Sequence, residues 1–399
     1  MTKQVQDAYI VAAVRTPVGK APRGTLKNVR PDDLLVHALR ALLAQVPKLD
    51  TSLIEDVVVG CAMPEAEQGA NVARTALLLA GLPNSVGGVT VNRFCASGTT
   101  ALQMAADRIR VGEADVMIAG GTESMSRIPM GGHNPSLNPD VFARDENLGI
   151  AFGMGVTAEK VAERWKVSRD DQDAFALGSH QKAIRAREAG AFEAELAPIE
   201  FVERTANLSS GELELKTGRL SFDEGPRADT SLEALARLKP VFAAKGSVTA
   251  GNSSQMSDGA GAVLLASEKV LKRFDLTPLA RFVSFAVKGV PPEIMGIGPK
   301  EAIPVALAKA GLSLADMDWI ELNEAFAAQA LAVIRELKLD PELVNPLGGA
   351  IALGHPLGAT GAIRTATLVH GLRRTNRKYG MVTMCVGTGM GAAAILERM

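Results

Sequence analysis

Short apolar runs, too brief for helices, alternate along this chain with longer stretches of helical period, and that alternation limits the folds open to it. Residues 9–14 (Tyr-Ile-Val-Ala-Ala-Val), 56–60 (Asp-Val-Val-Val-Gly) and 114–121 (Ala-Asp-Val-Met-Ile-Ala-Gly-Gly) read as buried strands, and residues 86–91 form a further β-prone run. Between them, residues 32–43 place Leu34, Leu35, Ala38, Leu39 and Leu42 on one face behind a Pro31-Asp32 start signal. Residues 71–80 and 102–109 also read as helices. Strands alternating with helices predict an α/β fold, a parallel or mixed sheet with helices on both faces.

At Gly121 the texture changes. From Thr122 to Gly246 the chain holds charged helical stretches at 158–165 and 169–190 and few residues suited to a buried strand, so this part reads as an insertion of helices and loops. Strand texture resumes at 248–265, read as strand, polar turn, strand, and the unit recurs at 380–396. Laid together without gaps, the two units set Ser254 opposite Cys385, Gly261 opposite Ala392 and Leu265 opposite Leu396. A second pairing sets the six residues from Cys95 to Thr100 against those from His355 to Thr360. The expectation is two related α/β halves with the insertion inside the first.

A chain of 399 residues at 47% hydrophobic can bury a large core in two or three domains. Lys+Arg 43 against Asp+Glu 44 argues against a nucleic-acid or anionic-membrane binder. The three cysteines, 61, 95 and 385, lie far apart and make no disulfide framework, which points to a reducing compartment. The first residues lack a signal-peptide core, and no apolar run approaches the roughly 18 residues that span a bilayer. The expectation is a soluble, cytoplasmic protein.

Four stretches carry candidate chemistry. Cys95 sits where the run at 86–91 hands over to a helix, within a collar of small and hydroxyl residues (Ala96, Ser97, Gly98, Thr99, Thr100). Free N–H groups at a helix start favour a thiolate, yet a lone cysteine is often packing, and this stretch alone leaves both readings open. Asn323-Glu324-Ala325-Phe326 closes a strand at 318–322, where a ligand is well placed, and a helix runs on to Leu337. His355 lies among glycines (348, 349, 354, 358, 361), a setting that packing explains poorly and a general base explains well. Cys385 precedes Gly387-Thr388-Gly389, a turn that presents backbone N–H groups to an oxyanion.

Dinucleotide binding is rejected for that last turn, because too little chain follows for a crossover helix. Metal is not expected, since the five histidines (37, 133, 180, 355, 370) show no ligand spacing. By spacing alone His37, His133, His180 and Cys61 read as structural or surface residues, and Arg227, among acids, as a solvated pair.

These stretches resemble the signatures of the thiolase family: Asn323-Glu324-Ala325-Phe326, the glycine-rich run from Gly348 to Gly358 around His355, the Cys385-x-Gly-x-Gly turn and the Cys95 stretch. The resemblance runs nearly end to end. It implies two duplicated α/β halves in five layers (αβαβα). The first half takes residues 1–121 and 247–271, the second 272–399, and 122–246 form a loop domain that covers coenzyme A. It also implies a homodimer or homotetramer, with a β-oxidation multienzyme assembly as a candidate partner, and no permanently bound cofactor.

Carried over residue by residue, the resemblance makes Cys95 the acylated nucleophile and His355 the group that takes its proton. Cys385 becomes the acid/base at the α-carbon, and Asn323 the holder of a water in one oxyanion hole shared with His355. The N–H groups of Cys95 and Gly387 form the second hole. Arg227 and Ser254 match positions near the adenine and pantetheine of coenzyme A, and Met154 a pocket methionine. Gly153 stands where short-chain biosynthetic members carry histidine, Gln255-Met256 departs from their usual sequence after Ser254, and residues 294–299 look more like degradative members. The implied reaction is cleavage of 3-oxoacyl-CoA by coenzyme A, with the reverse condensation; a biosynthetic acetoacetyl-CoA thiolase and a non-catalytic acyl-CoA-binding relative are the alternatives.

Overall fold

The computed structural model describes residues 5–399, in which one topology is traced twice. The first pass runs β1 (Tyr9–Arg15), the two-residue β2 (Gly19–Lys20), α1 (Pro31–Ala44), β3 (Asp56–Gly60), α2 (Val72–Ala80), β4 (Gly87–Val91), α3 (Ser97–Arg110) and β5 (Val116–Ser124). An insertion follows with α4 (Met154–Arg164), α5 (Arg169–Glu188), β6 (Ile199–Ala206), β7 (Leu213–Leu220) and α6 (Leu232–Ala236). β8 (Ser257–Ala266) closes the pass and α7 (Glu268–Phe274) leads out of it. The second pass runs β9 (Ala280–Gly289), α8 (Gly298–Ala310), β10 (Trp319–Leu322), α9 (Ala327–Leu337), α10 (Ala350–Leu353), α11 (Thr360–Arg374), β11 (Tyr379–Val386) and β12 (Met390–Arg398).

The strand order β4-β3-β5-β8-β1-β9-β12-β11-β10 reads the same way outward from its centre in both passes. β3 runs parallel to β4 and β5, as β10 does to β11, while β8 and β12 close the halves antiparallel. Where β4 lies in the first half, the second has only an isolated bridge between Ile320 and Val344. The halves join through two residue pairs, Tyr9 with Arg281 and Ile10 with Ala280.

Alternation along the strands sorts their side chains into three cores. Val57, Val59, Val116 and Ile118 pack against α1 and α2, whereas Val58, Met117 and Ala119 face α3 and α11. Val382, Met384, Ala392 and Leu396 reach the same middle core from the second half, and Met381, Ala393 and Ile395 face α8 and α9. Helices and sheets thus stack in five layers. Each fully buried leucine or isoleucine contributes roughly 1.5–3 kcal/mol, and the middle layer collects such residues from both halves.

Four details differ from the sequence reading. The insertion holds an antiparallel hairpin, β6–β7, whose second strand is mostly exposed, so no apolar run announces it. Residues 248–255 form no strand: the Asn252 side chain accepts the Thr249 N–H at 2.8 Å and donates to Asp173 at 2.9 Å, which turns the chain before β8. β8 is indeed the counterpart of β12, but the counterpart of β11 is β5, on the far side of the insertion. Finally, α3 and α11 each start after one tight turn, 94–96 and 357–359, which sets Gly98 opposite Gly361 rather than Gly358.

The insertion is tied to the core by buried charge. Arg15 on β1 donates from Nε to Glu195 at 2.5 Å and from Nη1 to Asp223 at 2.7 Å, and Thr367 on α11 donates to Glu195 at 2.8 Å. Removing one member of such a buried set typically costs about 3–5 kcal/mol.

Candidate active site

The two central helices begin at the same end of the middle layer, beside the carboxyl ends of β4, β10 and β11, and the candidate residues converge there. Cys95 occupies the tight turn before α3, and Cys385 lies near the end of β11; both thiols are buried and free. The backbone N–H groups of Gly387 and of Cys95 itself face the Cys95 sulfur, and Cys385 is close enough for charge on Cys95 to disfavour its own thiolate. Each thiol-bearing turn holds a non-glycine residue in the left-handed region, Phe94 at φ 43° and Thr388 at φ 62°. Such strain gathers where surrounding structure dictates the backbone.

His355 is 4% exposed and its ring is held at both nitrogens. Nδ1 pairs with Thr360 Oγ1 at 2.7 Å and Nε2 with Asn323 Nδ2 at 3.3 Å. An amide NH₂ only donates, so Nε2 is the acceptor and Nδ1–H donates to Thr360. The His355 N–H donates to Ser257 Oγ at 3.1 Å. Asn323 Oδ1 is buried at the same place, with no hydrogen-bond donor to it among the described residues.

Burial governs the proton affinities. It pushes the Cys95 thiol up to about 12, against the pull of the two N–H groups, and raises Cys385 as well. The sequence expectation of a thiolate at rest is therefore corrected: one helix start does not offset full desolvation. Burial, with Arg364 nearby, drops His355 to about 3, so the imidazole is neutral and its Nε2 lone pair accepts from the Asn323 amide. The resting pair is a neutral thiol and a neutral base.

Met154 meets the site from the insertion. A Cβ on Gly387 would lie 3.7 Å from Met154 Sδ and 3.6 Å from Phe94, so glycine keeps that wall open. Met154, Ala158, Val248, Met295, Ala325 and Phe326 gather around Cys385 as an apolar cluster. At Gly153 an added Cβ meets nothing within 4 Å.

Arg227 and Ser254 lie apart from the thiols. Arg227 lines a cleft with Lys20, His180, Ser253 and Gln255 while pairing with Asp229 at 3.1 Å, so it is a surface pair and a cleft residue at once. Ser254 sits between two lining residues, its N–H bound to Ala325 O at 2.9 Å, so the cleft wall is continuous with the Asn323 loop.

Spacing missed several residues. His180 is buried rather than solvated: its Nδ1 accepts the Arg227 N–H at 3.2 Å, and burial lowers it to about 4. Cys61 has neighbours after all, Gln68 Nε2 at 3.4 Å and Glu123 at 3.8 Å. Thr360 and Ser257 hold His355. Thr360, five residues on at a helix start, left a readable trace; Ser257, 98 residues away, left none. Among the described residues no cluster could hold a metal ion, and no helix is long and apolar enough to cross a membrane.

Residues 8–269 match the thiolase N-terminal domain and residues 276–398 the thiolase C-terminal domain. The chain is 50% identical to the 3-ketoacyl-CoA thiolase of Bacillus subtilis (strain 168), across 98% of its own length and all of that protein's. It is 46% identical to the beta-ketoadipyl-CoA thiolase of Escherichia coli, across 99% of this chain and 100% of the relative. The solved acetyl-CoA acetyltransferase of Bacillus anthracis superposes with a TM-score of 0.89 at 40% identity, covering 100% of both chains. With two thiols, an imidazole and a carboxamide brought to one buried point, and both domain matches spanning nearly its whole length, the chain belongs to the thiolase family of acyltransferases.

Proposed function

We propose that the protein cleaves aliphatic 3-oxoacyl-CoA with coenzyme A, in fatty-acid β-oxidation, through an acyl group carried on Cys95. The observation that carries this reading is the meeting of two buried thiols with His355 and Asn323. A single thiol suffices for simple acyl transfer; the second serves a carbanion, which is what a carbon–carbon cleavage releases.

In this mechanism the Asn323 amide gives up His355 Nε2, which takes the Cys95 proton as sulfur attacks C3 of the 3-oxoacyl chain. The N–H groups of Cys95 and Gly387 hold the oxyanion that forms; one such donor is typically worth about 3–4 kcal/mol. The C2–C3 bond then breaks. The acetyl thioester leaves as an enolate, steadied by His355 and a water on Asn323, and takes a proton from Cys385. Coenzyme A, a substrate rather than a resident cofactor, then gives its thiol proton to Cys385 and attacks the Cys95 thioester, releasing the shortened acyl-CoA while the Cys95 sulfur leaves and regains its proton from His355. Arg227, Ser254 and Met154 lie along its approach.

The apolar cluster around Cys385 supports an aliphatic chain over one ending in a second carboxylate, which needs a cation there, and Gly153, where short-chain members carry histidine, supports lengths beyond C4. Among the described residues β4 pairs with β3 alone, and its half-buried side chains leave an edge suited to a second copy of the chain, consistent with a homodimer. Three free thiols, two of them neighbours in the site, suit a reducing compartment.

Thiolysis rates across 3-oxoacyl-CoA substrates from C4 upward, run beside 3-oxoadipyl-CoA, test the assignment. Efficient turnover of longer aliphatic chains is expected, with Gly153→His confining activity to C4. Collapse beyond C4 in the parent establishes the biosynthetic alternative; preference for 3-oxoadipyl-CoA overturns the apolar reading.

A further inference from the structure

Glu123 lies near the end of β5, 1% exposed, and the mechanism above does not use it. Its carboxylate is held by uncharged donors. Oε2 accepts the Ala62 N–H at 2.7 Å and the Gly358 N–H at 2.8 Å; Oε1 accepts Gln68 Nε2 at 2.6 Å and the Met63 N–H at 3.2 Å. Taking a carboxylate so far from water costs several kcal/mol even with good donors.

The segments it joins are those that carry the chemistry. Gly358 is three residues beyond His355, in the tight turn before α11. Ala62 follows β3, its carbonyl accepts Asn92 Nδ2 at 3.0 Å, and Asn92 Oδ1 accepts the Phe94 N–H at 2.8 Å. One carboxylate oxygen therefore links the His355 loop, through Ala62 and Asn92, to the strained residue beside Cys95. The fit is close: a Cβ on Gly358 would stand 2.6 Å from Ala62 N and 2.8 Å from Glu123 Oε2. Burial raises the Glu123 pKa while these N–H donors lower it, and its charge in turn makes the Cys95 thiolate harder to form.

We propose that Glu123 is a positioning residue for the thiol–imidazole pair, its carboxylate fixing the His355 loop against the turn that presents Cys95. The inference rests on the roles given above to Cys95 and His355. Glutamine offers one acceptor oxygen where the site needs two, so Glu123→Gln frees either the Ala62–Gly358 pair or the Met63–Gln68 pair.

The test is rapid-quench acylation of the full-length protein by acyl-CoA, with the label located by mass spectrometry. For folded Glu123→Gln, acylation of Cys95 is expected to slow about tenfold or more, as for a small misplacement of reacting groups, with KM for coenzyme A within about twofold of the parent. Iodoacetamide alkylation of Cys95, followed against pH, should move its midpoint downward, because a charge acting on the thiol from β5 is gone while Cys385 on β11 is unchanged. The midpoint reports the lost charge alone; slowed acylation at a near-parent KM is the readout a merely structural role would not move. Glu123→Asp keeps the charge and shortens the reach, so its acylation should slow at an unchanged alkylation midpoint, and it carries the test should the glutamine variant not fold. Acylation at the parent rate in the folded variant overturns the proposal; a parent enzyme that takes no label on Cys95 overturns the underlying reaction instead.

Discussion

The two halves of this molecule share a topology and differ in what happens after the strand that follows the central helix. In the second half β11 turns straight into β12 through Gly387, Thr388 and Gly389. In the first half the equivalent turn, between β5 and β8, is replaced by residues 125–256. Register makes Thr122 the counterpart of Cys385: they pair with Ala260 and Gly391, the residues before the matched Gly261 and Ala392. Thr122 spends its hydroxyl on Pro31 O at 2.7 Å, as ordinary packing against α1, whereas Cys385 faces Met154 and Phe326. The duplicated backbone therefore supplies places, not chemistry. The tight turn brings Gly387 over Cys95, and the insertion, by opening the other turn, can reach across to wall the site.

If the halves divide the labour as proposed, separating their thiols has the largest effect. Cys95→Ala is expected to abolish acylation, by about 10⁴-fold or more as for loss of a nucleophile. Cys385→Ala should still take an acyl group on Cys95 yet lose thiolysis and α-proton exchange of acetyl-CoA by a similar factor. Mass spectrometry and exchange in deuterated buffer read the two steps separately; parent-rate exchange in Cys385→Ala breaks the division.

Asn323 comes next. Its loss removes a support of one oxyanion hole, and Asn323→Ala should lower kcat by about 10²–10³-fold, leaving Cys95 acylation nearer the parent rate. An equal loss in both steps assigns Asn323 to both holes.

The symmetry of the middle layer is testable through stability. A Cβ on Gly98 would sit 2.6 Å from Ala362 N, and one on Gly361 would sit 2.1 Å from Thr99 N. Gly98→Ala and Gly361→Ala should each destabilise by about 1–3 kcal/mol, as overpacking does, read by thermal or urea melting. If only one does, the crossing is not symmetric.

The smallest effect compares His180 of the insertion with His355 of the core. Both are neutral in the fold, held near 4 and 3. Above the ordinary histidine pKa neither affects stability. As pH falls below it the unfolded chain takes up protons the folded one refuses, so stability declines by about 1.4 kcal/mol per pH unit for each. His180→Gln should remove about half of that two-histidine slope between pH 6 and 4 in urea titrations, levelling its own share near pH 4.

Much of this was legible beforehand. Residues 57–60 are apolar without a polar face, and the strand found is Asp56–Gly60. The glycines about His355 announced close approach, and His355 lies 3.3 Å from Asn323. Residues 248–255 misled because their apolar and small side chains suit a strand, while the Asn252 amide outbids the ladder for the local N–H groups. β6–β7 was unreadable because its second strand is exposed and shows no buried face.

By its own pattern, the sequence determined the α/β class, the duplication and the residues able to do chemistry, because periodicity and glycine placement are local properties. Only the tertiary structure decided what those residues become. Desolvation is a property of surroundings: it turned the thiolate expected at a helix start into a neutral thiol at about 12, made His180 a buried residue, and gave Cys61 and Glu123 their neighbours. No spacing in the chain encodes the burial of an atom by segments far away in sequence, and that burial sets the proton affinities on which the site depends.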